Sequence, residues 1–274
     1  MIERLSKLKK GQDVIRLGSL PDEVHMSGYA YRKAFLINQI IRKVHGKSLE
    51  WYGYMLARQD EPELVVDIGL GRNATNMNAY TNIDPDEIGK FQESLPLDTI
   101  INGWIHSHAD LGLRRFSGTD ERNHLTVASY VSTILEIPLE KREVMVDDLT
   151  TLVKGAEQDM SKGSITLVTD RPVAEARLYE LRKGSFSYAV VIGDEGWTEQ
   201  EIHFTKEDML TGNMIRDKQS DYGKVGLDIV PPERYFDTQQ VRCLVQEVMD
   251  KTNVGLVRRF TSRLRGAYNG YKVR

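Results

Sequence analysis

The stretch Ile100-Ile101-Asn102-Gly103-Trp104-Ile105-His106-Ser107-His108 joins an apolar run to two closely spaced histidines. The apolar run at residues 100–105 predicts a buried β-strand. Side chains alternate between the two faces of a strand, so His106 and His108 share one face, with their α-carbons about 6.6 Å apart. Two imidazoles at this spacing are close enough to bind one metal ion.

A third metal ligand follows at a short distance along the chain. The sequence Ser117-Gly118-Thr119-Asp120 is typical of a helix start, because a serine caps free backbone amides and an acidic residue follows in the first turn. A loop containing Gly112 allows the chain to return Asp120 to the end of the strand. We therefore predict that His106, His108 and Asp120 bind Zn²⁺, with one ion per chain.

A hydrolytic zinc site also needs an open coordination position for water, and a carboxylate outside the metal ligands that accepts the proton of that water. Glu50 begins an aromatic and aliphatic segment, residues 50–57, which is predicted as another strand entered directly from a helix. Glu50 is the candidate for this role. Without further context, an exposed glutamate at a strand end is the simpler interpretation.

Taken together, these residues resemble the JAMM (MPN-plus) family of zinc metalloproteases. The residues that match the family pattern are Glu50, Gly53, His106, His108, Ser117 and Asp120. The likeness extends to the order of elements over roughly the first 195 residues. One departure is the loop at residues 109–116, which has eight residues where the family usually has seven. A loop absorbs one extra residue at small entropic cost.

The resemblance implies an α/β fold, with a single MPN-like (cytidine-deaminase-like) domain whose central mixed β-sheet is covered by helices. It implies a deubiquitinase-like zinc isopeptidase, which cleaves an isopeptide or peptide bond after the C-terminal glycine of a ubiquitin-like modifier. The partner would then be a ubiquitin-like protein or its conjugates. Glu50 would act as general base and acid, and Ser117 would donate a hydrogen bond to the oxyanion. Alternatively, Ser117 is only a helix cap.

Other zinc proteins fit this sequence poorly. A base deaminase needs a Pro-Cys-x-x-Cys motif and a structural zinc finger needs several cysteines, whereas this chain has only Cys243. A thermolysin-like protease needs His-Glu-x-x-His, which is absent. Cys243 itself is predicted to pack on an apolar helix face rather than to act as a nucleophile.

Composition indicates a globular protein without a membrane partner. Hydrophobic residues make up 40% and charged residues 28% of the 274 residues. No apolar stretch approaches the roughly 20 residues that span a bilayer. The N-terminus lacks the apolar core of a secretion signal, so a cytoplasmic location is expected. The net charge of −3 argues neither for nor against nucleic acid.

The organisation predicted from the sequence is a metalloprotease domain at residues 1–200, followed by a helical, basic extension at residues 201–274. Two insertions are expected in the domain, near residues 71–96 and 131–163. The resemblance implies that the first helps to choose the substrate, and the second is a candidate substrate lid. A plain solvated connection is an equally good interpretation of the first insertion. Residues 72–84 are predicted as a loop that begins after Gly69 and Gly71.

Periodicity and capping signals predict the remaining elements. The predicted helices cover residues 30–44, 85–94, 147–160 and 237–250. Beyond the strands described above, the predicted strands cover residues 14–17, 64–68, 165–168, 176–181 and 188–192. The last three are expected to be antiparallel, with a turn at Lys183-Gly184. The pattern at residues 131–134 fits a helix and a strand equally well.

The C-terminal segment has a helical apolar face beside basic residues: Lys251, Arg258, Arg259, Arg263, Arg265, Lys272 and Arg274. Three interpretations remain open, namely a docked helix with a solvated rim, a contact for an acidic protein partner, and a nucleic-acid contact. The first is favoured because most charged helix faces are simply solvated, and a nucleic-acid contact is disfavoured. A non-catalytic MPN-type scaffold is the contrasting functional class, but the complete set of metal ligands favours an enzyme.

Overall fold

The computed structural model describes residues 3–5, 14–76, 83–143, 149–153, 165–169, 179–210, 212–219, 225–231 and 235–252. The protein has an α/β fold with a mixed central sheet and helices. The helices of this described part are α1 (Gly28–His45), α2 (Pro85–Glu93), α3 (Gly118–Ile134) and α4 (Thr238–Lys251). Its strands are β1 (Glu3–Leu5), β2 (Val14–Arg16), β3 (Val24–Ser27), β4 (Glu50–Arg58), β5 (Glu61–Asn76), β6 (Thr99–Ser107), β7 (Ile137–Glu143), β8 (Leu149–Val153), β9 (Ile165–Thr169), β10 (Tyr179–Ile192), β11 (Thr198–Asp208), β12 (Met214–Gln219) and β13 (Leu227–Val230).

The chain forms two compact units, each assembled from separate stretches of sequence. The first unit contains residues 1–20, 137–184 and 206–215, and the second contains residues 21–136, 185–205 and 216–274. In the first unit, β2 pairs with β7, which pairs with the first half of β10. Strands β1, β8 and β9 form a separate sheet in the same unit.

The second unit is built around β6, the strand that contains His106 and ends directly before His108. The strand order is β12-β11-β10-β6-β4-β5-β3-β13. Strand β6 is antiparallel to β4 and parallel to β10, and its residues from Ile100 to Ser107 are buried. Helices α1 and α4 pack on β5, whereas α3 packs on β6. The predicted strand at residues 100–105 is therefore confirmed and lies inside the sheet.

The predicted helices at residues 30–44, 85–94 and 237–250 are confirmed as α1, α2 and α4. Each of them begins directly after a residue whose side chain caps it. Ser27 caps α1, Asp84 caps α2 and Asp237 caps α4. Helix α3 extends to Ile134, so residues 131–134 are helical. No helix in the described ranges is long and apolar enough to cross a membrane.

The prediction that Cys243 packs on the apolar face of its helix is wrong. The buried residues of α4 are Val241, Leu244, Val245 and Val248, whereas Cys243 is exposed. Those four residues recur at the spacing of one helix face. Cys243 follows Val241 by two positions and therefore points away from this face.

Strand β5 is longer than predicted. It continues through Gly69 and Gly71 to Asn76, where the sequence predicted a loop. A β-carbon on Gly71 would lie 2.9 Å from the ring of Tyr52, and one on Gly69 would collide with the ring of Phe91. These glycines therefore make room for neighbouring rings instead of ending the strand.

The prediction of three antiparallel strands from residue 165 to 192 is also wrong. Strand β9 lies in the separate sheet, parallel to β8, and β10 runs without a turn from Tyr179 to Ile192. At the predicted turn, β10 instead has a bulge between Arg182 and Lys183. Gly184 lies so close to Leu139 that a β-carbon at this position would be 2.6 Å from a Leu139 methyl carbon.

Residues 149–153, which were predicted as part of a helix, form strand β8. Their leucine and valine spacing fits a helix, but the β-branched residues Thr150, Thr151 and Val153 favour a strand. Pairing with β1 and β9 favours the strand as well. The rest of the predicted helix lies outside the described residues.

The region predicted as a helical extension, residues 201–274, contains most of β11 and all of β12 and β13. Within its described part, α4 is the only helix. The many charged residues of β11 hid its strand character in the sequence. Of the basic residues named in the C-terminal segment, Lys251 is the last residue of α4. The others follow Thr252 and lie outside the described residues.

An ion cluster in the first unit joins β7, β10 and the end of β11. Asp208 is nearly inaccessible, at 1% exposed. Its carboxylate accepts hydrogen bonds from Arg182 Nε (2.6 Å), Arg182 Nη2 (2.9 Å) and Arg142 Nη2 (2.8 Å). The Arg182 guanidinium holds the pKa of Asp208 below its usual range. A lowered folded-state pKa means that the cluster stabilises the fold above the unfolded-state pKa of about 3.9.

We predict that Asp208→Asn lowers the free energy of unfolding by about 2–3 kcal/mol at pH 7, because two guanidinium groups lose their buried anionic partner. The difference from the wild type should shrink as the pH falls through the lowered pKa of Asp208. Urea unfolding at several pH values measures this effect. Asp60→Asn, which removes the partner of Arg58 in an exposed pair, should leave the stability unchanged. Equal effects of the two variants would contradict the prediction.

Candidate metal centre

Strand β6 places His106 and His108 at its C-terminal end, where both side chains are buried. The chain then turns sharply. His108 N donates to the carbonyl oxygen of Ile192 (2.9 Å), and Ala109 adopts a left-handed backbone conformation with φ 52°. Asp194 N donates to the carbonyl oxygen of Ala109 (2.9 Å), which holds the turn in place. The loop at residues 109–116 therefore leaves the sheet directly after the second histidine.

Asp120 is positioned by the start of α3. Ser117 caps this helix: its hydroxyl accepts a hydrogen bond from Asp120 N (3.3 Å), and its own backbone N donates to Asp120 Oδ2 (2.6 Å). This reciprocal capping box orients the Asp120 carboxylate toward the histidines. Asp120 is 8% exposed.

The three predicted metal ligands converge. His106 Nε2 lies 3.1 Å from His108 Nε2 and 3.3 Å from Asp120 Oδ1, and His108 Nε2 lies 3.4 Å from Asp120 Oδ2. Ligand atoms about 2.0–2.1 Å from a tetrahedral zinc ion are separated by about 3.3–3.4 Å. Two imidazoles and one carboxylate are also a donor set that zinc prefers. The residues therefore form a buried group that fits such an ion.

The tautomer of His108 suits metal binding. Its Nδ1 lies 2.8 Å from the carbonyl oxygen of Leu113, so Nδ1 donates a proton there and Nε2 is the nitrogen that faces the group and would bind a metal ion. The ring of His106 is held instead by stacking on Trp104, with ring centroids 4.3 Å apart. His106 Nδ1 is buried and has no hydrogen-bond partner in the described part of the chain.

The electrostatics of the group favour an anionic carboxylate between imidazoles. Burial alone would raise the pKa of Asp120, but the adjacent His106 and His108 hold it well below its usual range. Burial lowers the pKa of His106. Burial also opposes protonation of His108, but its hydrogen bonds to Asp120 and Leu113 prevail and raise its pKa.

Glu50 lies at the start of β4, the strand next to β6. The register pairs Trp51 with Ser107 and Tyr52 with His106, so Glu50 and His108 each lie one residue beyond these pairs, at the same end of the two strands. Opposite residues of an antiparallel pair share a face of the sheet. Partial burial raises the pKa of Glu50, and the nearby charges of His108 and Asp120 have opposing effects on it. The Glu50 carboxyl group is therefore part of the electrostatic environment of the metal ligands.

Gly53 permits the close approach of β4 and β5 behind Glu50. A β-carbon at this position would lie 2.8 Å from the backbone oxygen of Gly69. Any larger residue would push the two strands apart. The glycine at this position of the predicted motif therefore has a steric basis in the sheet.

Sequence reasoning missed a second buried group beside the first one. It consists of His124 on α3 and of Glu201 and His203 on β11. The ring centroids of His106 and His124 are 6.4 Å apart. Two local signals were available: His124 follows Asp120 by four residues on a helix, and Glu-x-His on a strand repeats the spacing of His106 and His108.

No family model matches the chain, and no curated protein matches it.

We predict that His108→Ala binds one zinc ion fewer per chain than the wild type, because two protein ligands are too few for a tight zinc site. Elemental analysis after equilibrium dialysis measures the difference. The matched control is His45→Ala, since His45 hydrogen-bonds with Thr252 and belongs to neither buried group. Equal zinc contents in His108→Ala and the wild type would contradict metal binding at this group.

Proposed function

We propose that this protein is a zinc-dependent hydrolase of the JAMM type, which cleaves an isopeptide or peptide bond after the C-terminal glycine of a ubiquitin-like modifier. The observation that carries this proposal is the convergence of His106, His108 and Asp120 at tetrahedral spacing, with Glu50 on the adjacent strand. An MPN-like fold is part of the same proposal. The mixed sheet and the helix that begins at Ser117 support it.

In this proposal, His106, His108 and Asp120 bind the metal through Nε2, Nε2 and a carboxylate oxygen. When bound, zinc polarises a carbonyl group and lowers the pKa of a water molecule toward neutrality. Residues around the ligands keep them oriented. The capping box at Ser117 keeps the Asp120 carboxylate aimed at the histidines, and Leu113 fixes the tautomer of His108.

Glu50 is the proposed proton carrier. Its carboxylate accepts a proton from the attacking water and then delivers that proton to the leaving amine. Partial burial, which raises its pKa, suits a group that must both take up and release a proton. Because Glu50 is on β4 and not among the metal ligands, its replacement should separate proton transfer from metal binding.

Ser117 is the proposed donor to the developing oxyanion. Its hydroxyl oxygen already accepts the hydrogen bond from Asp120 N, which leaves the hydroxyl hydrogen free to donate. One hydroxyl group can therefore cap α3 and stabilise negative charge on the substrate at the same time.

The modifier and its conjugates are proposed as the substrate on the strength of the family resemblance alone. A non-catalytic scaffold is the contrasting possibility. It is disfavoured because Glu50 and all three metal ligands are retained and the ligands are buried together. A scaffold has no need of a carboxyl group beside a metal site.

We predict that Glu50→Gln cleaves a fluorogenic amide of a ubiquitin-like C-terminal glycine at least about 100-fold more slowly than the wild type, because general acid–base catalysis is lost. Its zinc content should be unchanged. His108→Ala should lose its activity together with the zinc ion bound by His106, His108 and Asp120.

The matched control is Glu247→Gln, which removes a half-buried carboxylate paired with Lys251 on α4 and should retain full activity. If Glu50→Gln cleaved the amide at the wild-type rate, Glu50 would not be the proton carrier. Stoichiometric zinc binding without any activity in the wild type would argue for the scaffold.

A series at Ser117 should separate capping from catalysis. Ser117→Gly should lower the rate about 100- to 1,000-fold by removing the oxyanion donor, yet lower stability by only a few tenths of a kcal/mol. Ser117→Ala should lower the rate equally and also destabilise the fold by about 1 kcal/mol. Ser117→Thr, which keeps a hydroxyl group, should retain most of the rate. Wild-type turnover in Ser117→Gly would leave Ser117 as a cap only.

A further inference from the structure

The second buried group combines side chains that are distant in sequence. His124 comes from the middle of α3, and Glu201 and His203 come from β11. His203 Nε2 lies 3.4 Å from Glu201 Oε2, and His124 Nδ1 lies 3.8 Å from the same oxygen. Ligand atoms from all three residues lie within 4.8 Å of one another. The three residues are between 2% and 8% exposed.

His124 is the member of this group without a hydrogen-bond partner in the described part of the chain. Its side chain is 1% exposed, and neither of its ring nitrogens forms a hydrogen bond with any residue that the structure describes. The distance of 3.8 Å to Glu201 is too long for a hydrogen bond. Much of its surroundings is aromatic, with the rings of Trp104 and Phe116 at centroid distances of 4.7 and 4.8 Å. A buried imidazole with two unsatisfied nitrogens is costly unless a further ligand is present.

The donor set and the spacing of the group suit a divalent ion. Two imidazoles and one carboxylate are ligands that zinc prefers. The 3.4 Å between His203 and Glu201 matches the distance of about 3.3–3.4 Å between neighbouring ligand atoms of a tetrahedral zinc ion, and the 3.8 Å between His124 and Glu201 exceeds it by about 0.4 Å.

Lys218 does not occupy the space between the ligands. Its Nζ lies 3.9 Å from Glu201 Oε1, whereas both histidines lie nearest to the other carboxylate oxygen, Oε2. The same ammonium group pairs more closely with Glu121 Oε1, at 2.6 Å. Glu201 Oε2 therefore remains available to an ion between the histidines.

A surface cavity borders one member of this group. Its volume is about 290 Å³, and His203 and Lys218 are among the residues that line it. Leu125 and Ala128 of α3 and Arg216 of β12 also line it. His203 therefore lies at the boundary between the buried group and this cavity.

We propose that His124, Glu201 and His203 form a second site for a divalent transition-metal ion of the zinc class, separate from the site formed by His106, His108 and Asp120. An ion at this position would link α3 to β11 through its ligands. The site has three protein ligands and a cavity beside it, so one coordination position is left for water. This proposal does not depend on the hydrolase function, because it concerns binding alone.

The test is a zinc count on the full-length chain, stripped with a chelator and dialysed against Zn²⁺. We expect two ions per chain in the wild type and one in Glu201→Gln. His108→Ala should also bind one ion, and the double variant should bind none. Titration calorimetry of Glu201→Gln should show one binding event fewer, with affinity at the altered site weakened more than about 100-fold. Even the loss of an outer partner of a ligand costs about 10- to 100-fold.

The matched control, Glu247→Gln, should bind two ions. Circular dichroism and thermal unfolding of each variant establish that it is folded, and His203→Gln provides a second variant of similar size at the same site. One zinc ion in the wild type, lost in His108→Ala and retained in Glu201→Gln, would overturn the second site. Two zinc ions with no peptidase activity would contradict the proposed function but leave this site standing.

Discussion

The pairing of β6 on both of its edges fixes the face of the sheet on which the metal ligands lie. Strand β4 sets Tyr52 opposite His106, and β10 sets Val191 beside the same residue. A slip of one residue in either register would turn both histidines to the other face. Because two neighbouring strands impose the same register, the positions of His106, His108 and Glu50 follow from the sheet itself.

A buried group of two imidazoles and a carboxylate is costly to maintain without an ion. Dehydration of Asp120 is offset here by the capping hydrogen bond from Ser117 and by the two adjacent histidines. The capping box therefore stabilises the start of α3 and orients a metal ligand at once. These hydrogen bonds help to keep Asp120 and the two histidines at 3.1–3.4 Å from one another.

The buried group of His106, His108 and Asp120 could be predicted from the sequence because its signals are local. The histidines are two residues apart, Asp120 carries a helix-cap signal, and Glu50 begins an aromatic strand. Contacts between residues that are distant in the chain left no such signal in the sequence. Gly69 and Gly71 resemble a strand end until their aromatic neighbours are known, and β8 resembles a helix until its partner strands are known. The second group was missed for the same reason, since α3 and β11 meet only in the folded chain.

Helix α3 supplies one ligand to each of the two buried groups. Asp120 and His124 are four residues apart, so they lie on the same face of the helix, one turn from each other. The ring of Trp104 contacts the rings of both His106 and His124, which packs the two groups together. A shift of this helix along its axis would displace a ligand from both groups, so their geometries depend on one another even though their remaining ligands come from different strands.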